Sequence, residues 1–398
     1  MKHLAISLIV FCSLSFSSQL SAQCAPKNPS DPQSAWVLPD GSPCPNTILT
    51  AVPFLTLAPD ARGAAMGDAG IAVSPDANAM HYNVSKLAFI EEPTSLSMTY
   101  SPWLRALGLT DVYMAYLAGH RQINELQTIA GSLRYFSLGQ IDFTDDNGEP
   151  TGMGKPNEFE LAGAYARKLT DKLSAGLAIK FIYSNLAADQ FVNGTEIKAG
   201  LAGAADISFS YISPYDGGVF RAGLAFKNLG TKISYSNDNA DYIPANMGLG
   251  AAWDLNLDDY NTLTLTADFN KLLVPTAPRE FIDKNANGIP DYKEYSVVNS
   301  WFTSFGDAPE GFSEELKEIS ISAGLEYWYN KQFAVRGGYF HESNIKGDRK
   351  YLTVGLGIKY NIFGLNLSYL VPTSNQRNPL DNTLRFSIIF NFAGSRDN

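Results

Sequence analysis

From residue 94 onward the chain alternates between apolar residues and polar or small ones, the period of strands whose two faces meet different surroundings. Lys172 to Tyr183 is the plainest case. Leu173, Ala175, Leu177, Ile179, Phe181 and Tyr183 share one face, and Lys172, Ser174, Gly176, Ala178 and Lys180 the other. Leu352, Val354, Leu356, Ile358 and Tyr360 stand in the same way against Thr353, Gly355, Gly357, Lys359 and Asn361. So do Leu384, Phe386, Ile388, Phe390 and Phe392 against Arg385, Ser387, Ile389 and Asn391. The pattern predicts fourteen strands, at 94–101, 111–120, 125–137, 157–168, 171–184, 197–212, 218–229, 245–256, 260–271, 318–329, 332–341, 351–361, 363–371 and 382–392.

The connections between these segments alternate in length. Intervals 121–124, 169–170, 213–217, 257–259, 330–331 and 362 are tight, whereas 102–110, 138–156, 185–196, 230–244, 272–317, 342–350 and 372–381 are longer. An even strand count with short turns on one side and long loops on the other is the pattern of an outer-membrane barrel, whose turns are periplasmic and whose loops are external. The expected fold is all-β, a 14-stranded antiparallel transmembrane β-barrel in a Gram-negative outer membrane. A large soluble β-protein is the competing reading, but it gives no reason for loops to sort so regularly. The polar faces are rich in Gly, Ala and Ser, and aromatics gather at strand ends, as in Tyr327, Trp328 and Tyr329, where interfacial girdles would lie. Closure follows because an open sheet edge in lipid leaves backbone groups unsatisfied at several kcal/mol each.

Composition agrees. The mean hydropathy of −0.10 is too low for a helical membrane protein, whereas a barrel hides its apolar face in alternation. With 40 Asp and Glu against 30 Lys and Arg and no basic stripe, nucleic acid is not an expected partner.

The N-terminal third divides differently. Residues 1–22 read as a signal peptide, with Lys2 and His3 ahead of the apolar run Leu4 to Leu14 and Ala22 as the cleavage residue. Residues 23–50 are rich in Pro, Ser and Asn and are expected to be a periplasmic tail, placing both termini in the periplasm. Cys24 and Cys44 in this segment can pair as one disulfide in an oxidising compartment or remain two thiols. Residues 51–93 carry Gly and Ala with apolar anchors and no sustained alternation, which suits a compact plug inside the lumen of the 94–398 barrel.

Within the plug, Asp60-Ala61-Arg62, Met66-Gly67-Asp68-Ala69-Gly70, Tyr82-Asn83 and Leu87-Ala88 resemble the hatch of the FadL-like outer-membrane family and, inside it, the PorV (LptO) barrels of the type IX secretion system. Val84-Ser85 stands where FadL-type hatches usually carry Pro-Ala. The resemblance spans essentially the chain without its leader. It implies a non-catalytic carrier or adaptor that receives secreted cargo by its C-terminal β-domain from the translocon barrel and delivers it to the surface sortase. The wider FadL likeness implies an alternative, a transporter of hydrophobic small molecules, for which fold alone is a weak warrant. The LptO name implies lipid A deacylation, but His81, His120 and His341 map to the plug, the turn rim and the loop rim and cannot converge on one nucleophile. No catalytic residue is expected, and membrane lipid is the other expected contact.

One motif lies outside that resemblance. Asp283, Asn285, Asn287, Gly288 and Glu294 fit D-x-[DN]-x-[DN]-G-x₅-E at every fixed position, with Ile289 offering a carbonyl and Asp291 a direct or water-mediated contact. The expectation is a Ca²⁺-stapled surface loop in 272–317; an Asn- and Gly-rich turn without metal is the alternative. Asp142, Asp145, Asp146 and Glu149 around Asn147-Gly148, and Asn237 to Asp241, read as plain loop tips. Trp301, Phe302, Phe305 and Phe312 in the longest loop are expected as anchors for a protein partner, although they could equally pack the loop onto the rim.

Overall fold

The computed structural model describes residues 25–26, 36–38, 41, 44–105, 108–144, 150–187, 191–192, 195–236, 240–280, 282–373 and 382–392. The chain divides into two compact units, 1–45 and 46–398. In the first, Ala25–Pro26 pairs antiparallel with Trp36–Val37, and Cys44 is disulfide-bonded. Cys24, the leader at 1–22 and the final residues 393–398 lie outside the described residues, as do Asp145 to Glu149 and Asn237.

The second unit is a closed antiparallel barrel of fourteen strands in sequence order. They are β1 (Thr94–Pro102), β2 (Val112–Asn124), β3 (Gln127–Leu138), β4 (Asn157–Lys168), β5 (Leu173–Asn185), β6 (Gly200–Tyr215) and β7 (Gly218–Gly230). There follow β8 (Asn246–Asn256), β9 (Asn261–Leu272), β10 (Ser320–Tyr329), β11 (Phe333–His341), β12 (Lys350–Tyr360), β13 (Phe363–Pro372) and β14 (Leu384–Phe392). β14 closes on β1, with Phe392 opposite Thr94 and Phe386 opposite Tyr100. Each expected strand is present. The largest shift is in β2, which reaches Asn124: an irregularity between Gln122 and Asn124 lets Asn124 pair with Gln127, and Asn124 Oδ1 accepts from Leu126 N at 2.9 Å. Pairing thus continues past the point where the alternation stops.

The faces are those the pattern assigns, with the apolar side outward. In β5, Ser174, Gly176, Ala178, Lys180, Ile182 and Ser184 are buried, while Leu177, Phe181 and Ile179 are exposed, the last at 67%. Such an apolar outer belt is stable only against lipid. Among the described residues no helix is long and apolar enough to cross a membrane; the strands do so.

One rim carries the turns 125–126, 169–172, 216–217, 257–260, 330–332 and 361–362, and the other the longer connections. The longest, 273–319, folds into three short helices, α3 (Asp291–Glu294), α4 (Val297–Thr303) and α5 (Phe312–Lys317). Inside the barrel sits the plug, whose short helices are Pro53–Thr56, Ala61–Ala64, Ala79–Tyr82 and Val84–Phe89.

The route of the plug corrects the expected tail. Asn46 N donates to Ile345 O at 2.6 Å, Asn46 Nδ2 to Glu314 Oε1 at 2.9 Å, and Ala51 N to Tyr242 O at 2.9 Å, all at the long-loop rim. At the other end, Glu92 O meets His120 Nε2 at 2.9 Å and Glu92 Oε1 meets Lys359 Nζ at 2.9 Å, beside the turns. The described end of the 23–50 segment, residues 46–50, therefore lies among the long loops and not on the turn side. Val52, Phe54 and Leu55 hold it there by packing against Trp103, Phe136 and Phe340. The last strand ends at the turn rim, where Phe392 faces Thr94.

Candidate functional site

Close packing of plug on wall starts from missing side chains. Gly67 has φ 68° and lies on the Tyr339 backbone, and a Cβ on Gly338 opposite would overlap Gly67 N and Met66 C. Only glycine permits that approach. Around this contact the plug is tied to much of the wall. Asp60 caps the Ala61–Ala64 turn through Gly63 N at 2.9 Å and takes the Tyr82 hydroxyl at 2.8 Å. Asp68 accepts from Tyr351 Oη, Asp268 accepts from Gly70 N at 2.6 Å and Ile71 N at 2.8 Å, and Thr353 Oγ1 accepts from Gly67 N at 2.9 Å. Asn83 Nδ2 donates to Ser210 Oγ at 3.0 Å, and its Oδ1 accepts from Ser85 N at 3.1 Å. Ser85, at the position of the Pro-Ala departure, also binds Ser208 Oγ through its N–H and Ser210 Oγ through its hydroxyl.

Arg62 is the strongest link. Its guanidinium forks onto Glu326 of β10 at 2.9 and 2.7 Å and reaches Asp76 at 3.1 Å, and Arg336 of β11 approaches the same Glu326 at 2.6 Å. A carboxylate held between two guanidiniums in a buried site is charge-compensated and geometrically fixed. Arg134 of β3 adds bonds to Phe54 O at 3.0 Å and His81 Nδ1 at 2.7 Å. Four of the five motif residues, Arg62, Gly67, Asp68 and Asn83, are thus brought to the plug–wall contact, while Asp60 braces the plug internally through Gly63 and Tyr82. The wall partners Glu326, Tyr351 and Thr353, with Asp268 on Gly70 and Ile71 and Arg336 on Glu326, escaped the sequence reading; the available signal was a lone charge on a lumen face of small residues, as at Glu326.

Above the plug, on the long-loop side, is a cavity of about 550 Å³. Phe54, Leu55, Trp103, Phe136 and Phe340 give it apolar walls, while Asp68, His81, Asp268, Lys227 and Arg385 make its lower part polar.

The crown of loops is built around a second charged cluster. Lys271 Nζ meets Glu315 at 3.0 Å and Glu318 at 2.5 Å, and Lys346 Nζ meets Glu314 at 2.6 Å and Glu318 at 2.9 Å. Asp307 accepts from Thr276 N at 3.1 Å; burial beside Glu318 and Glu315 pushes it up to about 6. On the outside of α4 and α5, Phe302 and Phe312 are 73% and 76% exposed and Phe305 is half exposed. Trp301 takes the second of the two placements expected for these aromatics. It turns inward and lines a narrow crevice with Tyr242, Ile243, Leu273 and Val274, so it packs the loop onto the rim.

The 283–294 loop turns through Ala286 (φ 57°) and Gly288 (φ 83°). Asp283 Oδ2 accepts from Gly288 N at 2.7 Å and Asp291 Oδ1 from Lys284 N at 3.0 Å. Asn285 Nδ2 and Asn287 Nδ2 donate to the two oxygens of Glu294 at 2.8 and 2.6 Å. Positions one, three, five, nine and twelve of the motif are therefore gathered into one small loop. The three histidines stay apart: His81 in the plug, His120 by the turns and His341 at the loop end of β11.

Comparison with known proteins agrees with this geometry. The family model for type IX secretion system protein PorV matches residues 43–279, more than half of the chain. No curated protein matches the chain. Among solved structures, the P. putida toluene transporter TodX is similar with a TM-score of 0.51 and 11% identity, over 84% of this chain and 99% of that one. The Ralstonia pickettii toluene transporter TbuX gives 0.48 and 12%, over 83% and 97%. A Pseudomonas aeruginosa FadL homologue gives 0.43 and 12%, over 88% and 100%. At these identities the TodX likeness concerns the fold alone. With its plug seated in a closed fourteen-stranded barrel, this outer-membrane chain belongs to the PorV family of type IX secretion system proteins.

Proposed function

We propose that the protein is a non-catalytic carrier and adaptor at the outer membrane. It receives cargo by its C-terminal β-domain from the translocon barrel and hands it to the surface sortase, with the long loops facing outward. The observation that carries this reading is the fastening of the plug. Buried bonds from β3, β6, β9, β10 and β12 hold residues 54–85 in place. A transporter needs a continuous apolar path, whereas here the lumen is filled by a bonded plug with a charged lower cavity surface. Binding then belongs to the crown, where Phe302, Phe305 and Phe312 offer the aromatic anchors common at protein interfaces. Loop 273–319 supplies that face on a scaffold held by the Lys271 and Lys346 ion pairs.

The half-apolar cavity favours a second reading, passage of hydrophobic small molecules as in FadL-like barrels. Mass spectrometry of what co-purifies with the tagged barrel from gently solubilised outer membranes separates the two. A large translocon barrel, a sortase or cargo with C-terminal β-domains supports the adaptor. An isolated barrel with tightly bound lipid or fatty acid would move the assignment to transport.

A further inference from the structure

We propose that residues 283–294 form a Ca²⁺ site that staples loop 273–319 to loop 231–245. The oxygen set is one carboxylate oxygen of Asp283, Oδ1 of Asn285 and Asn287, the Ile289 carbonyl, Asp291 directly or through water, and both oxygens of Glu294. Six to eight oxygens with one bidentate carboxylate suit Ca²⁺; Mg²⁺ requires a tighter octahedron and keeps its waters.

Three observations converge on this loop. The twelve-residue spacing places an oxygen-bearing residue at each ligand position and glycine at the sharp turn, where Gly288 has φ 83°. The charge is uncompensated. Asp283 and Glu294 have no basic partner within ion-pair distance among the described residues, and Asp291 has only the Lys284 ammonium at 3.6 Å, on a side chain 84% exposed. A divalent cation would balance most of that charge.

The last ligand is also positioned from outside the loop. Helix α3 is held by Lys293 Nζ on Asp241 at 2.9 Å, by Tyr242 Oη on the Tyr295 carbonyl at 2.7 Å, and by Lys232 Nζ on the Lys293 carbonyl at 2.5 Å. Glu294 is thereby carried to Asn285 and Asn287 without an ion to recruit it. Asn285 Oδ1 and Asn287 Oδ1 accept from Asn287 N and Ile289 N at 3.1 and 2.8 Å, and the second lone pair of each remains for a cation. Preorganisation by a neighbouring loop lowers the ordering cost of binding. Binding in turn fixes the Asp241–Tyr242 contact, close to where Ala51 joins the same loop.

The test is calorimetric titration of Ca²⁺ into the full chain, purified in detergent and stripped with chelator, alongside timed proteolysis. One saturable site per chain is expected in the range of about 10⁻⁴ to 10⁻³ M found for extracellular modules. Cleavage within 273–319 should slow about tenfold on saturation, and an equal concentration of Mg²⁺ should not reproduce this. Glu294→Gln and Asp283→Asn should each remove both effects while heat-modifiable migration on gels shows the barrel still folded. Absence of a saturable isotherm in the wild type up to about 10⁻² M, or wild-type binding by the double variant, would overturn the site. The readout is metal binding itself, so either result leaves the adaptor reading where it stands.

Discussion

The lumen and the crown both contain clusters of buried charge, assembled differently. In the lumen, Glu326 lies between Arg62 and Arg336, with Asp76 completing an even balance of two cations and two anions. In the crown, Glu314, Glu315, Glu318 and Asp307 share Lys271 and Lys346, and Asp307 Oδ1 has no partner among the described residues. The first arrangement is compensated and sealed by packing. The second is over-acidic though equally buried, and carries exposed phenylalanines on the helices it supports. The contrast is between an interior that fixes one arrangement and a rim that can respond to a partner, an ion or a proton.

Breaking the interior should have the largest effect. Glu326→Ala leaves two guanidiniums facing each other in a buried site and should cost about 3–5 kcal/mol of barrel stability. Urea unfolding in detergent reads this directly, and a wild-type midpoint would show that the lumen network is dispensable. Replacing Phe302, Phe305 and Phe312 together by Ser should leave that midpoint unchanged. A hot-spot anchor is worth about 2 kcal/mol or more, so partner retention on co-purification should fall by at least about tenfold. Undiminished retention would move the contact elsewhere on the crown.

The smallest expected effect is on pH dependence. Asp307 titrates at about 6 in the docked loop against 3.8 when free, so docking favours its protonated form. The associated stability is complete below 3.8 and is lost as pH rises through about 6. Protease cleavage within 273–319 should therefore be slower at about pH 5 than at about pH 7.5, and Asp307→Asn should flatten the difference. Glu314 shifts the opposite way, held down by Lys346 and Asn46 against the upward push of burial, so its contribution disappears only at lower pH.

The barrel was legible because lipid on one side and packed small residues on the other force a period of two over each strand. Where that alternation ended, so did the legibility: β2 runs on to Asn124 through Gln122, whose side chain bonds the Ile90 carbonyl of the plug, and past the irregularity at residue 123. The plug was legible from its Gly and Ala content and its hatch motif, but its direction was not. That depends on pairs such as Asn46 with Ile345, almost three hundred residues apart, which local composition does not encode. Which of its two expected placements Trp301 takes was not legible for a related reason. Helical periodicity separates it from Phe302, but only the neighbouring loop with Tyr242 and Ile243 reveals which face is covered. The calcium-type loop was legible as spacing, while the support from Lys232, Asp241 and Tyr242 came from another connection altogether.

The passage of residues 46–93 from the loop rim to the turn rim constrains how the molecule can be made. A finished cylinder could acquire that segment only by having a chain end drawn through it past bonded side chains. Winding the sheet around a segment already laid down is the simpler route, with the seam between Thr94 and Phe392 sealed last. Bonds from Asp268, Glu326, Thr353 and Ser387 to plug residues then act as successive footholds that bring late strands toward the first one. They distribute the entropy of closing so long a loop over several steps. The plug is the mandrel of its own barrel.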